Sequence, residues 1–177
     1  MAGTRTDLSP MAVDYLDGWG WCGVAADSGR VIASTIGQPS AAAASSALEK
    51  SLRGLRGLDI DLARAWLERL HDRLSGAAGN DPELDLMGTD FQNRIWQACR
   101  DVPVGETRAY GWIARSAGYS ERRYARAVGA ALGANPALVF VPCHRVVSAN
   151  GDLGGYAAGR DLKRKLLTME RIQAADA

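Results

Sequence analysis

The clearest periodicity in the chain is helical. Leu62, Trp66, Leu70 and Leu74 recur every fourth residue, with Arg64, Glu68 and Asp72 between them. That spacing predicts an amphipathic helix with one buried stripe. Upstream, the pattern is that of strands. Gly20-Trp21-Cys22-Gly23-Val24-Ala25-Ala26 is a short apolar run, and Asp27-Ser28-Gly29 is a turn signal. Arg30-Val31-Ile32-Ala33-Ser34-Thr35-Ile36 is the expected hairpin partner. Gly37-Gln38-Pro39-Ser40 breaks that strand, and an Ala-rich helix is predicted over 41–52. The Gly-rich loop 76–82 is the best domain boundary.

Beyond the loop the pattern turns helical. Thr89 or Asp90 can cap a helix carrying Phe91, Ile95, Trp96 and Cys99. Pro103-Val104-Gly105-Glu106 is a turn. A short helix over 110–117 is closed by Gly118. Another over 121–132 is closed by Gly133 and followed by Asn135-Pro136. Two short helices with a tight Gly-containing connection predict a helix-turn-helix. After the loop 151–155, a last helix over 161–169 places Leu162, Leu166 and Met169 on one side. The expected fold is α/β (α+β). A small sheet-plus-helix domain (1–85) precedes a mostly helical domain with a helix-turn-helix (86–177).

Composition narrows the function. The 177 residues are 47% hydrophobic and 23% charged, as in ordinary globular proteins. No apolar run approaches the roughly 18 residues needed to span a bilayer. The first seven residues lack the apolar core of a signal peptide. Three cysteines, an odd count, argue against a disulfide framework, so a reducing, cytoplasmic setting is expected. The net charge of +1 hides an asymmetry. Residues 1–90 hold 8 Lys/Arg and 13 Asp/Glu, whereas residues 91–177 hold 13 and 7. A basic second half hints at an anionic partner.

The candidate chemistry lies in Pro142-Cys143-His144-Arg145-Val146. Only five residues are Cys or His (Cys22, His71, Cys99, Cys143, His144), and two of them are adjacent. Cysteine attacks as the thiolate, and an imidazole can take its proton. The dipeptide alone leaves a second reading open. Neighbours on a strand point to opposite faces, so Cys143 could be a buried strand-end residue beside a surface histidine. Ala125-Arg126-Ala127-Val128-Gly129-Ala130-Ala131 is nearly all small residues with one arginine. Beyond Arg122, Arg123 and Arg126 the helix has few base-reading side chains. The small side chains suit either tight helix–helix packing or close docking on DNA, and the few base readers make such docking sequence-independent, with the minor groove as one place for it.

On these residues the chain resembles the O6-alkylguanine-DNA alkyltransferase family (methylated-DNA–protein-cysteine methyltransferases). The resemblance runs from about Leu86 to Glu170. It includes Gly88-Thr89-Asp90-Phe91-Gln92, Val102-Pro103-Val104-Gly105-Glu106-Thr107, Tyr110, Ala125-Arg126-Ala127-Val128-Gly129, Asn135-Pro136, Pro142-Cys143-His144-Arg145-Val146-Val147, Gly151 and Tyr156. The first half matches only in outline.

The resemblance implies direct-reversal DNA repair, with one turnover per molecule. Cys143 would accept the alkyl group from O6 of guanine, and from O4-alkylthymine as well. His144 would act as base through a bound water, Glu170 would orient the imidazole, and Asn135 would brace the turn. Tyr110, Tyr156, Ala157 and Val146 would bind the base. Arg126 would enter the stack vacated by the flipped nucleotide, with Tyr110, Ala127, Arg122 and Arg123 also on the DNA. Flipping is required because O6 lies inside the duplex. No cofactor and no metal are expected: Cys22, Cys99 and His71 are too few and too scattered for a closed zinc site. A monomer acting on double-stranded DNA, with no membrane partner, is expected. The run Tyr156-Ala157-Ala158-Gly159 departs from the family, which often has two glycines after the residue that follows the tyrosine. The competing readings are a damage sensor that flips without transfer, and a helix-turn-helix DNA-binding protein in which Cys143 is structural.

Overall fold

The computed structural model describes residues 11–52, 59–77 and 79–176. They form two compact units. The first comprises the chain up to Met87 together with Pro136–Phe140. The second comprises Gly88–Asn135 and the chain from Val141 onward.

The first unit is an antiparallel sheet in the order β1 (Met11–Leu16), β2 (Gly20–Asp27), β3 (Arg30–Gln38). The expected hairpin is β2–β3, with Asp27 opposite Arg30. Strand β1 was not expected. It pairs along its whole length with β2, Met11 opposite Ala25 and Leu16 opposite Gly20. Its apolar residues Ala12 and Leu16 fall on the opposite parity from Met11 and Val13, which blurs the period-2 signal.

Helix α1 (Ala41–Glu49) packs against all three strands, with Ser40 capping its first turn. It ends earlier than expected, because residues 50–52 fold into turns in which Ser51 and Leu52 donate to Leu48 and Glu49 carbonyls. Helix α2 (Ile60–Leu74) starts at the cap Asp59 and packs on β1 and β2. Its fully inward residues are Ala63, Leu67, Leu70 and Leu74, so the buried stripe is rotated from the one expected. Trp66 lies at the stripe's edge, where its ring meets Phe140 edge-on at 5.9 Å. Met11, Ala25, Ala33 and Leu48 form a core cluster beneath α1.

The second unit begins with α3 (Asp90–Arg100). A reciprocal capping box between Thr89 and Gln92 fixes its start. Ile95, Trp96, Ala98 and Cys99 face inward, and the Trp96 indole donates to the Ala131 carbonyl at 2.9 Å. Then come β4 (Arg108–Ala109), α4 (Tyr110–Ser116) and α5 (Glu121–Gly133), and α4 packs on α5 as a helix-turn-helix. A 3-10 turn (Cys143–Arg145) leads into β5 (Val146–Val147), which pairs parallel to β4.

The last helix, α6, runs over Arg160–Asp176, well beyond the expected 161–169. Its inward residues are Lys163, Leu166, Leu167 and Glu170 rather than Leu162 and Met169. Two charged residues therefore occupy a buried i, i+3, i+4, i+7 stripe, and apolar counting alone shifts the face. Among the described residues no helix is long and apolar enough to cross a membrane.

Candidate active site

The site is built in the second unit, where the 3-10 turn meets α6 and the loop after α5. Cys143 is 6% exposed and His144 is fully buried. No named strand leads into the turn and His144 is fully buried, so the second reading, a strand-end cysteine beside a surface histidine, does not hold. Asn135, just past the end of α5, places one amide nitrogen on two acceptors. Nδ2 donates to the Val141 carbonyl at 3.0 Å and to the Cys143 sulfur at 3.1 Å.

Behind the cysteine lies a buried charge network. Nε2 of His144 donates to Glu170 Oε1 at 2.8 Å. Arg145 grips the same carboxylate with two donors, Nε to Oε2 at 3.0 Å and Nη2 to Oε1 at 2.8 Å. Its Nη1 donates to the Val102 carbonyl at 2.6 Å. Both oxygens of Glu170 thus accept hydrogen bonds from charged or polar donors, which is what a carboxylate 4% exposed requires. Burial raises the Glu170 pKa, but the bonds from His144 and Arg145 outweigh it and hold the carboxyl down at about 2.

A carboxylate on Nε2 fixes that nitrogen as the protonated one and leaves Nδ1 as the acceptor. Nδ1 is buried and has no protein hydrogen-bond partner. Burial, partly offset by Glu170, lowers the imidazole's pKa, so His144 is neutral at pH 7. Burial also pushes the Cys143 thiol up to about 11, against the lowering by the Asn135 amide and the Lys163 charge. The resting pair is therefore a thiol and a neutral imidazole whose free nitrogen can accept a proton.

A cavity of about 330 Å³ opens at Cys143, lined by Tyr110, Gly129, Leu132, Gly133, Gly155, Tyr156 and Ala157. That volume is near the lower end for small-molecule sites. Tyr110, the first residue of α4, keeps its proton because burial raises its pKa. A Cβ on Gly154, whose φ is +64°, would stand 2.8 Å from the Tyr110 hydroxyl, so only glycine lets the phenol sit there. The Tyr156 ring stands edge-on to the His144 ring at 6.2 Å.

The structure brings together Cys143, His144, Glu170, Asn135, Tyr110, Tyr156 and Ala157. Val146 stands apart: it is fully buried, it is not part of the cavity lining, and its carbonyl accepts from Lys163 Nζ at 2.7 Å. Arg123 and Arg126 are exposed on α5, and Ala127 is half-buried. Arg122 is on the same helix, with its side chain outside the described residues. Arg126, Gly129 and Gly133 share one helical face by their spacing, so the arginine precedes the cavity by one turn.

Two contributors were not anticipated. Lys163 is fully buried and ties Val146 to the Gly155 carbonyl of the cavity wall at 3.2 Å. Arg145, part of the Pro142–Val146 motif, is the second, through its two bonds to Glu170. Its signal was its neighbour, since a buried histidine beside an arginine calls for a shared carboxylate.

Residues 90–172 match the DNA-binding domain of 6-O-methylguanine DNA methyltransferase. A methylated-DNA–protein-cysteine methyltransferase of Mycobacterium tuberculosis is 53% identical over 94 residues, 53% of this chain and 56% of the relative. Thus the match spans little more than half the length of that relative. The methyltransferase of Methanosarcina barkeri is 40% identical over 136 residues, covering 67% of this chain and 85% of the relative. The crystal structure of Mycobacterium tuberculosis OGT in complex with DNA superposes with a TM-score of 0.70. It is 36% identical and covers 87% of this chain and 88% of that one.

The chain belongs to the methylated-DNA–protein-cysteine methyltransferase family. The matched 90–172 region contains Asn135, Cys143, His144, Glu170 and every residue lining the cavity. Ala157 lines the cavity wall and Ala158 follows it. Ala158 is half-buried and precedes Gly159, whose φ is +93°, so the left-handed turn falls at 159 and asks nothing unusual of the alanine.

Proposed function

We propose that this protein repairs alkylated DNA by direct reversal, taking the alkyl group from O6 of guanine onto Cys143 once per molecule. The observation that carries the reading is the Cys143 sulfur at the wall of a purine-sized cavity, held by Asn135 and followed by a His144–Glu170 pair. The base is flipped out of the duplex, because O6 is otherwise out of reach of an in-line nucleophile. Sγ attacks the alkyl carbon as the C–O6 bond breaks, and the electron pair stays on O6. His144 Nδ1 takes the thiol proton through a bridging water, and ionised Glu170 stabilises the resulting imidazolium. The Tyr110 hydroxyl protonates N3 of the leaving guanine, and exchange with solvent restores both groups. Overall the thiol proton ends on guanine and the sulfur becomes a thioether.

Tyr156 and the Ala157 backbone N–H border the purine in this reading. Arg126 fills the stack, while Arg122, Arg123 and Ala127 lie along the DNA. The exposed arginines on α5 and the few base-reading side chains there support sequence-independent docking. The same cavity would take O4-alkylthymine. We assign catalysis and DNA binding to residues 86–177, with residues 1–85 as the amino-terminal domain, in a monomer working in the cytoplasm on chromosomal DNA without cofactor or metal.

The test is transfer of label from duplex DNA bearing O6-[methyl-³H]guanine. Uptake should stop at about one methyl per chain, map to Cys143, and vanish in Cys143→Ala. Label that stays on the DNA, or that turns over repeatedly, rules the mechanism out. Arg126→Ala should slow repair of the duplex more than reaction with free O6-benzylguanine. Equal loss on both removes Arg126 from flipping.

A further inference from the structure

Residues 136–140 come from the middle of the second half yet fold with the first unit, and Cys143 follows three residues later in the second. The grip on this segment is tight. Ser34 of β3, 2% exposed, spends three polar groups on it. Its N–H donates to the Pro136 carbonyl at 2.9 Å, its carbonyl accepts from the Leu138 N–H at 3.2 Å, and its hydroxyl donates to the Leu138 carbonyl at 2.6 Å. Two residues on, Phe140 is held between the Trp66 ring and the Arg73 guanidinium, 5.6 Å from its centroid.

Between these anchors Val139 adopts φ +76°. A β-branched residue in the left-handed region is strained, and such strain persists only where the surroundings over-determine it. Here they do, from Ser34 on one side and Trp66 with Arg73 on the other. The ends of the same loop are closed by Asn135 Nδ2 on the Val141 carbonyl, and that one nitrogen also holds the Cys143 sulfur. The path of residues 136–140 therefore sets where Val141 lies, and with it whether one amide can serve both acceptors.

We infer that Ser34 is a positioning residue for transfer: its three hydrogen bonds fix the strained 136–140 loop so that Asn135 can hold the Cys143 sulfur in line with the alkyl group. This gives the first unit a task in the chemistry although none of its described residues lines the cavity. The inference rests on Cys143 being the acceptor, as proposed above.

The experiment uses the full chain and free O6-benzylguanine, which removes DNA binding from the readout. The maximal transfer rate and the half-saturating concentration are measured for the wild type, Ser34→Ala and Ser34→Thr, at a temperature where circular dichroism shows each folded. Ser34→Ala should lower the maximal rate on the order of tenfold to a hundredfold, as misplaced reacting groups do, with the half-saturating concentration unchanged. Ser34→Thr, which keeps the hydroxyl, should restore most of it. An unchanged maximal rate in Ser34→Ala, or a loss Ser34→Thr does not restore, overturns the inference. If Ser34→Ala does not fold, Phe140→Leu loosens the other anchor, is read in the same way, and overturns the inference if its maximal rate is unchanged. Failure of the wild type to acquire benzyl at Cys143 would instead refute the proposed function.

Discussion

Replacing Glu170 by Gln keeps the shape of the network and removes its one negative charge. The Glu170 carboxyl sits at about 2 in the folded protein against an ordinary value of 4.5. Its folded pKa is depressed, so its contribution is present above pH 4.5 and is lost as the pH falls through 2. A displacement of that size corresponds to about 3 kcal/mol of stability at neutral pH, of which about 2 kcal/mol disappears between pH 5 and pH 3. With a urea m-value of about 2 kcal/mol/M, the wild-type midpoint should fall by about 1 M over that range through this group alone. His144, whose pKa burial also lowers, contributes in the same direction, its loss beginning as the pH falls below the ordinary imidazole value of 6.5. Urea midpoints followed by circular dichroism at half-unit pH steps check this. Other carboxylates titrate in both proteins, so the quantity of interest is the difference between the two profiles. In Glu170→Gln the acid slope should flatten, on a baseline lowered by about 3–5 kcal/mol because Arg145 is left buried without its counter-charge. Arg145→Met/Glu170→Gln should recover part of that baseline. Parallel wild-type and variant profiles between pH 5 and pH 3 would refute the network as the source of the depressed pKa.

Three further outcomes follow from the same geometry. Asn135→Ala should cost about 1 kcal/mol, because the buried Val141 carbonyl loses one of its two donors and keeps only the Cys143 N–H, and should raise the thiol's pKa further; thermal melts and the pH dependence of Cys143 alkylation check both parts. In the wild type, alkylation of Cys143 by iodoacetamide, followed by peptide mapping, should keep accelerating up to about pH 11; a plateau near pH 8 contradicts the burial argument. Gly154→Ala should cost about 1–3 kcal/mol from its left-handed backbone alone, and should slow transfer by displacing the Tyr110 hydroxyl, measurable as a single-turnover rate on methylated duplex.

Much of the site was legible because its parts are local in sequence. The Cys143-His144 pair, the cap at Thr89 and the small-residue helix each announce themselves through residue type or spacing. What was hidden depends on distant partners. Glu170 is named only through the family resemblance, since residue type and spacing give no sign that α6 turns it inward beside His144 and Arg145, and Lys163 is hidden for the same reason. Apolar counting assigned the inward face of α6 to Leu162 and Met169, since it has no rule for charges that are buried because they are paired. Strand β1 was missed because its alternation is imperfect, although the ladder to β2 overrides that. Nothing in the run Ala137-Leu138-Val139-Phe140 says that it belongs with β3, more than 100 residues earlier.

That displaced run bears on how the protein is made. The bond between Ser34 and Leu138 spans 104 residues, a long loop to close, and long-range pairings are intrinsically slow to form. The first unit emerges from the ribosome before its last piece has been synthesised. Until that piece arrives, the edge of β3 at Ser34 lacks its partner, and afterwards Ala137-Leu138-Val139-Phe140 is a short β-prone segment waiting for a place. A fragment beginning at Gly88 would carry those four apolar residues, all buried in the full chain, with no strand to receive them. Such a fragment has an aggregation-prone segment three residues from Cys143.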